Sequence, residues 1–349
     1  MIVNVVAEGA PCKATQQRPF TRLFDARPKE HAVWPIDAVV TRLTALRGEH
    51  FDQVFVVRLR LMPVWRALQQ HLGIVGHHKV LDLDDIESRS QARQVRLLGI
   101  AYLGKISFVL EWLETAKLVK EETRAFSEMQ KVVICSQEDK EVLAARFDPK
   151  QIAIVPNTMR LPEMLPLREP DGKLNLLFVG TLDYPPNEDA VKWLMESILP
   201  EIERRVGAGM VTLTVVGQAP PRWMHERARD GAFALHADVP QVRPFYAACD
   251  ILVVPIRAGG GTRIKILEAF GLGRAVIATP VGAEGIAVSN GEELFLADSP
   301  AGFAEATLKL FEQRQTMREM VGRARAKVER SYSLASCAQA VNAAFREAG

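Results

Sequence analysis

From residue 174 onward, short apolar runs take turns with segments whose apolar residues recur at helical spacing, and this alternation most restricts what the chain can become. The runs fall at 174–179, 211–216, 233–235, 251–254, 275–278 and 294–296, with amphipathic stretches such as 190–205 and 301–313 between several of them. An uninterrupted apolar strand needs cover on both faces, and a helix between successive strands supplies it. This half is therefore predicted to be a doubly wound α/β domain with a parallel sheet.

The first half is less regular. Strands are predicted at 3–6, 33–34, 53–57, 80–82, 132–135 and 152–155 and a helix over 106–128, which makes a second α/β domain. Between the halves, 156–173 holds four prolines and few periodic apolar positions, as a linker or hinge does. After Tyr332, Leu334, Cys337, Val341, Ala344 and Phe345 recur at helical spacing with no strand to follow, so a last helix is expected to cross back to the first domain. The expected divisions are 1–158, 159–332 and 333–349, and 349 residues suit two domains of about 150 to 180 residues each.

Residues 255–271 read PIRAGGGTRIKILEAFG. A helix start exposes unpaired amides and the positive end of its dipole, so Arg263 and Lys265 in a first turn are unfavourable unless an anion joins them. With Thr262 as N-cap, the amides around Gly260 and Gly261 and the two cations would hold a diphosphate. Glu268, three residues beyond Lys265 and on the same face, could accept hydrogen bonds from a ribose diol. The plainer alternative is an ordinary strand-turn-helix in which Lys265 pairs with Glu268. No G-x-x-x-x-G-K-[ST] occurs, and no G-x-G-x-x-G with an acid about 20 residues on, so triphosphate hydrolysis and dinucleotide binding lose their signatures. A second loop, 178–190, puts Gly180 and Thr181 at a strand's carboxyl end before a helix capped by Asn187. It reads equally as a binding edge or a plain turn.

A net charge of +2, from 44 basic and 42 acidic residues without a block of one sign, argues against a nucleic-acid binder. Cys12, Cys135, Cys249 and Cys337 form no C-x-x-C pair, so neither zinc nor a disulfide framework is indicated and a reducing compartment fits. The N-terminus lacks the basic region and long apolar run of a signal peptide, and no run of about 20 apolar residues occurs, so a cytoplasmic location is expected. The segment 97–113, charged only at Lys105 and Glu111, reads as a buried or interdomain helix or, more sharply, as a face resting on a membrane.

Asp82, Asp84 and Asp85 follow an apolar strand; they read as a solvated turn, with Asp85 capping a helix, or as groups orienting an acceptor or donor-sugar hydroxyl, for which Asp84 and Asp85 are the candidates. Arg58, past the strand ending at residue 57, is an acceptor-side guess. His77 and His78 have no partner at metal-ligand spacing, and no metal site is assigned. His236, before Ala237 and Val239, is expected near a nucleotide base.

These segments resemble the GT-B glycosyltransferases, in particular retaining glycosyltransferase family 4. The resemblance is strongest over 174–345, where 178–190, 248–255 and 259–269 are similar in order and spacing to that family's donor domain; 80–87 and 133–139 look like pieces of its acceptor domain. It implies two facing Rossmann-like domains with a cleft between them. It also implies that Gly180, Thr181, Ala237, Val239, Gly259, Gly260, Gly261 and Thr262 line the donor site, that Arg263 and Lys265 bind the diphosphate and act in catalysis, and that Glu268 binds the ribose. The implied reaction moves a sugar, with retention, from a nucleoside diphosphate sugar to a hydroxyl of a glycan or lipid-linked acceptor, with the sugar nucleotide as co-substrate and no metal cofactor, and with peripheral contact at the inner membrane face. Two departures stand out: Gly260 occupies the place of the first glutamate of the family's pair, and residues 3–21 supply only Gly9 where a glycine-rich acceptor-side loop is usual. A non-catalytic sugar-nucleotide scaffold or sensor and a sugar-nucleotide epimerase are the alternatives.

Overall fold

The computed structural model describes residues 28, 35–169 and 171–346, so the strands expected at 3–6 and 33–34 lie outside the described residues. The described residues form two compact units, one from those up to 134 together with 140–153, the other from 135–139 and those from 154 onward. Each has its own sheet and core.

In the first unit β1 (His50–Val57), β2 (Val75–Asp84), β3 (Lys131–Ile134) and β4 (Ile152–Ile154) lie side by side in chain order. β1 and β3 pair with β2 in parallel. The helices are α1 (Ile36–Arg42), α2 (Met62–Leu72), α3 (Glu87–Leu103), α4 (Lys105–Glu128) and α5 (Gln137–Ala144). Strand β2 begins five residues before the predicted 80, because Gly76, His77, His78 and Lys79 carry no apolar signal although their backbone is already laddered to β1. Leu59, Leu81, Leu83, Val132 and Ile134 form the centre of this core.

The second unit holds β5 (Leu174–Thr181), β6 (Val211–Gln218), β7 (Ala234–Ala237), β8 (Ile251–Val254), β9 (Ala275–Ala278) and β10 (Phe295–Leu296), all parallel. They lie in the order β10-β9-β8-β5-β6-β7. Around them are α6 (Pro185–Trp193), α7 (Leu199–Val206), α8 (Arg222–Arg229), α9 (Arg243–Ala248), α10 (Ile264–Leu272), α11 (Pro300–Glu312), α12 (Arg314–Ser331) and α13 (Leu334–Arg346). The single helix predicted over 190–205 is instead α6 and α7 joined by a π turn at Leu194–Ile198. Pro200 explains the change, since it has no amide to donate and its ring displaces the preceding turn.

The whole of β8 is buried, as a central parallel strand must be. From β5 the chain winds outward through β6 and β7, then returns to the other flank of β5 at β8. This reversal opens a crevice beyond the carboxyl ends of β5 and β8, the usual place for a ligand in such a sheet.

The proline-rich stretch is not loose. The Met159 amide donates to the Tyr332 carbonyl at 3.1 Å and the Leu165 amide to that of Leu272 at 3.1 Å. Arg274, fully buried, donates to the carbonyls of Pro166 at 2.9 Å and Tyr246 at 2.6 Å, and Arg325 donates to that of Pro162 at 2.8 Å. Residues 159–168 are thus a strap on the second unit, where prolines serve because they hold the chain extended and leave fewer amides to satisfy.

Candidate functional site

The carboxyl edge at the switch point is built from residues without side chains. Gly180 of β5 is in register with Gly217 of β6, and Gly217 with Ala237 of β7. A Cβ on Gly217 would stand 1.8 Å from the Gly180 carbonyl oxygen. A Cβ on Gly180 would meet the Asn187 amide nitrogen at 2.9 Å and the Lys265 ammonium at 3.0 Å, so these two polar ends lie directly over the strand terminus.

Lys265 is the centre of the site. Its ammonium donates to Asn187 Oδ1 at 3.1 Å and sits 4.6 Å from the centre of the Phe178 ring. Asn187 Nδ2 in turn donates to the Thr181 carbonyl at 2.8 Å. Asn187 was expected to cap its helix; the helix starts at Pro185 with Tyr184 in the cap position, and the Asn187 amide is used to fasten Lys265 to the end of β5. Burial pushes the Lys265 amine down to about 7; neighbouring Arg263 adds to the shift and Glu268 opposes it. The ammonium is thus bonded to a neutral amide while a second cation stands near.

Helix α10 begins at Ile264, with Arg263 rather than Thr262 in the cap position and no side-chain cap. Thr262 is not the N-cap because its hydroxyl turns to the Gly285 carbonyl at 3.5 Å. Gly259 and Gly261 have φ of 109° and 72°, the left-handed region that glycine enters without strain. Arg263 folds back over this loop and donates to the Gly260 carbonyl at 2.8 Å. At the loop's other end Arg257 makes a two-pronged ion pair with Asp189 at 2.9 and 2.6 Å and lies 4.9 Å over the Trp193 ring, tying the loop to α6.

Glu268 lies one turn along α10 from Lys265. Tyr246, fully buried, places its hydroxyl 3.3 Å from Glu268 Oε2 and 3.3 Å from the Lys265 carbonyl. Burial pushes the Glu268 carboxyl up, opposed by the Tyr246 hydrogen bond and Lys265. Further along the same edge, Asp238 and Ala219 both have φ of 51°; the Asp238 amide donates to the Gly217 carbonyl at 2.9 Å, and Asp238 Oδ1 accepts from the Ala219 amide at 3.1 Å. This lock fixes the backbone between Ala237, at the carboxyl end of β7, and Val239, with the His236 ring 4.6 Å from that of Phe245.

In the first unit Arg58 and Asp84 also end strands in the left-handed region, at φ of 74° and 60°, and their side chains form an ion pair. Arg58 is therefore held, not merely solvated. Its amide donates to the Asp82 carbonyl at 2.7 Å, and the Asp85 amide donates to that of Leu83 at 2.7 Å. Burial, with Asp84 adding, pushes the Asp82 carboxyl up. The carboxylate that takes the Ser88 amide in the first turn of α3 is Glu122, at 2.9 Å. Non-glycine residues in this region cost about 1 kcal/mol or more, and such strain gathers where ligands are handled.

Tyr246, Arg257, Asp189 and Gly217 escaped the sequence reading, and Asn187 was read only as a cap. Each acts through a partner remote in sequence, although Asn187, Asp189 and Arg257 stood in segments already singled out. Among the described residues no group of His, Cys, Asp or Glu is arranged to hold a metal ion, and no helix is long and apolar enough to cross a membrane.

Residues 173–313 match the family model described as "Glycosyl transferases group 1". A Klebsiella pneumoniae protein described as an uncharacterized 44.6 kDa protein in the cps region is 25% identical over 166 residues, 45% of this chain and 42% of that protein. The fold is similar to sucrose-phosphate synthase from Thermosynechococcus elongatus (TM-score 0.68, 14% identity, 97% of this chain and 82% of that one). It is also similar to Anabaena HepE in complex with UDP-glucose (0.63, 16%, 89% and 82%) and to TarM (0.65, 12%, 88% and 57%). The chain thus spans less than half of its Klebsiella relative and just over half of TarM. The chain has the two-unit α/β fold of the GT-B glycosyltransferases, and its residues 173–313 are similar to the glycosyl transferases group 1 family.

Proposed function

We propose that the protein transfers a sugar from a nucleoside diphosphate sugar to a hydroxyl of a glycan or lipid-linked acceptor, with retention at the anomeric carbon, as family 4 enzymes do. The observation that carries this reading is Lys265, a cation pressed into the crevice between Phe178 and Asn187 with Arg263 beside it. An arrangement that costs this much in the ligand-free fold is accounted for by an anion that relieves it. HepE, of similar fold, has been seen with UDP-glucose, which supports a sugar nucleotide as that anion.

As the glycosidic bond breaks, negative charge grows on the leaving diphosphate. Lys265, Arg263 and the α10 amides stabilise it, and with two cations present no metal is needed for that step. Glu268 accepts from the ribose hydroxyls, and the rim at Ala237 and Val239 meets the base. Asp84, held by Arg58, and Asp85 orient a sugar or acceptor hydroxyl. The direct test is calorimetric titration with UDP, GDP and ADP, beside the Arg263→Ala, Lys265→Ala double variant. Micromolar binding of one nucleotide, lost in the variant, is expected; silence from all three would withdraw the transferase reading in favour of a scaffold.

Tyr246 gives a finer prediction. With its hydroxyl on Glu268 Oε2, it leaves the other oxygen for the ribose. Tyr246→Phe is expected to cut the preference for the bound nucleotide over its 2′-deoxy analogue by about fivefold to tenfold, the worth of one hydrogen bond. Competition titrations with the two nucleotides measure this ratio, and an unchanged ratio would show that Tyr246 is only a packing residue.

A further inference from the structure

Tyr184 stands at the start of α6, where its backbone is firmly held. Pro185 confines it to extended geometry, with φ of −75° and ψ of 120°. Its amide donates to the Thr181 carbonyl at 3.3 Å, and its carbonyl accepts from the Asn187 and Glu188 amides at 2.9 and 3.0 Å. The half-buried side chain reaches the glycine loop. A Cβ placed on Gly259 would stand 3.4 Å from the Tyr184 hydroxyl and 3.1 Å from Arg263 Nη2. The two polar ends thus approach each other over a residue without a side chain, whose φ of 109° suits glycine. Both acids of α6 serve other partners: Glu188 accepts from Lys192 at 2.9 Å and from the Trp223 indole at 2.8 Å, and Asp189 is taken by Arg257. What α6 offers the loop is a neutral phenol.

We infer that the Tyr184 hydroxyl contacts a hydroxyl of the transferred sugar and so helps to select it. The inference rests on the donor reading of this site, and the order of groups along α10 carries it. Glu268, for the ribose, lies farthest along the helix; Lys265 is about one turn nearer its start, Arg263 is at the cap, and Gly259 lies beyond, in the loop. A sugar nucleotide laid along this line has its diphosphate at the two cations and its sugar past them, at Gly259 and Tyr184. A phenol both donates and accepts, which matches a sugar hydroxyl, and the bare glycine leaves room for a ring. The phosphates fit this hydroxyl less well, because two cations and the helix amides already serve them.

Tyr184→Phe keeps the ring and removes only the hydroxyl. The full chain and this variant would be titrated with UDP and with UDP-glucose, UDP-galactose and UDP-N-acetylglucosamine, or with GDP and GDP-mannose or ADP and ADP-glucose where the wild type selects that nucleotide. For the conjugate that the wild type binds best, affinity relative to the free nucleotide is expected to fall about fivefold to tenfold in the variant, the worth of one hydrogen bond. Affinity for the free nucleotide and the melting temperature should stay as in the wild type. Among the monodeoxy analogues of that conjugate, the one lacking the contacted hydroxyl should bind wild type and variant alike. A hydroxyl that only braces the loop, or that serves a phosphate, would instead weaken nucleotide and conjugate equally. That result, an unchanged ratio, or a wild type that binds the nucleotide but none of its conjugates would overturn the inference. Failure of the donor reading itself shows separately, as a wild type that binds no nucleotide at all.

Discussion

Lys265→Met is expected to lower nucleoside diphosphate affinity and turnover at least a hundredfold while leaving the ligand-free protein as stable as before, or more so. Losing one preorganised donor to a developing oxyanion costs about 3 kcal/mol, which sets the kinetic floor. Stability moves the other way because the Lys265 amine is depressed to about 7 in the folded chain and has its ordinary value of about 10.4 when unfolded. Between those values the unfolded chain binds more protons, so this group makes the ligand-free protein gain stability as pH rises from about 7 towards 10, and its cost is fully present below 7. Methionine removes the cost and keeps the packing on Phe178. A bound diphosphate would raise the amine again, so binding at pH 8 should take up close to one proton, and affinity should decline with pH above about 7. Calorimetry in buffers of different ionisation heat reads that uptake. Uptake that persists in Lys265→Met would locate the titrating group elsewhere, and a variant with wild-type turnover would remove Lys265 from the mechanism.

Gly217→Ala should do the opposite and strike the fold first. The added methyl would stand 1.8 Å from the Gly180 carbonyl oxygen and 2.8 Å from the Leu182 side chain, and laddered backbone cannot yield as a side chain does. Forcing β5 and β6 apart at their carboxyl ends should cost about 3 kcal/mol, at the upper end of overpacking effects. For a unit of this size that lowers the melting temperature by roughly 6 to 12 °C. Scanning calorimetry with and without nucleotide checks it: the second unit should melt early, and whatever remains folded should bind weakly because Gly180 and Asn187 have moved. A wild-type melting curve would mean that the strands separate at little cost.

Much of this was legible in the chain itself. The runs at 251–254 and 275–278 match β8 and β9 residue for residue, since a strand buried on both faces leaves an unbroken apolar signature. The helix-spaced apolar residues after Tyr332 became α13. The glycine loop stood out because two cations at a helix start contradict local preference, and the structure places Arg263 and Lys265 there together. The early part of β2 was invisible because its residues are polar and only its ladder partner reveals it. Thr262 and Asn187 were read as caps by the same local logic, and both found better partners across the fold, the Gly285 carbonyl and Lys265.

Sequence therefore determined what is local: strand and helix periods, turn chemistry, and the surplus of positive charge at one helix start. Tertiary structure alone decided which strand lies beside which, and so that Lys265 hangs over Gly180, that Tyr246 reaches Glu268, and that Arg257 pins the loop through Asp189. The physical reason is range. Backbone periods and caps are set by neighbours within a turn, whereas a buried ammonium takes its pKa and its partners from side chains that strand order brings together from as far as 78 residues away.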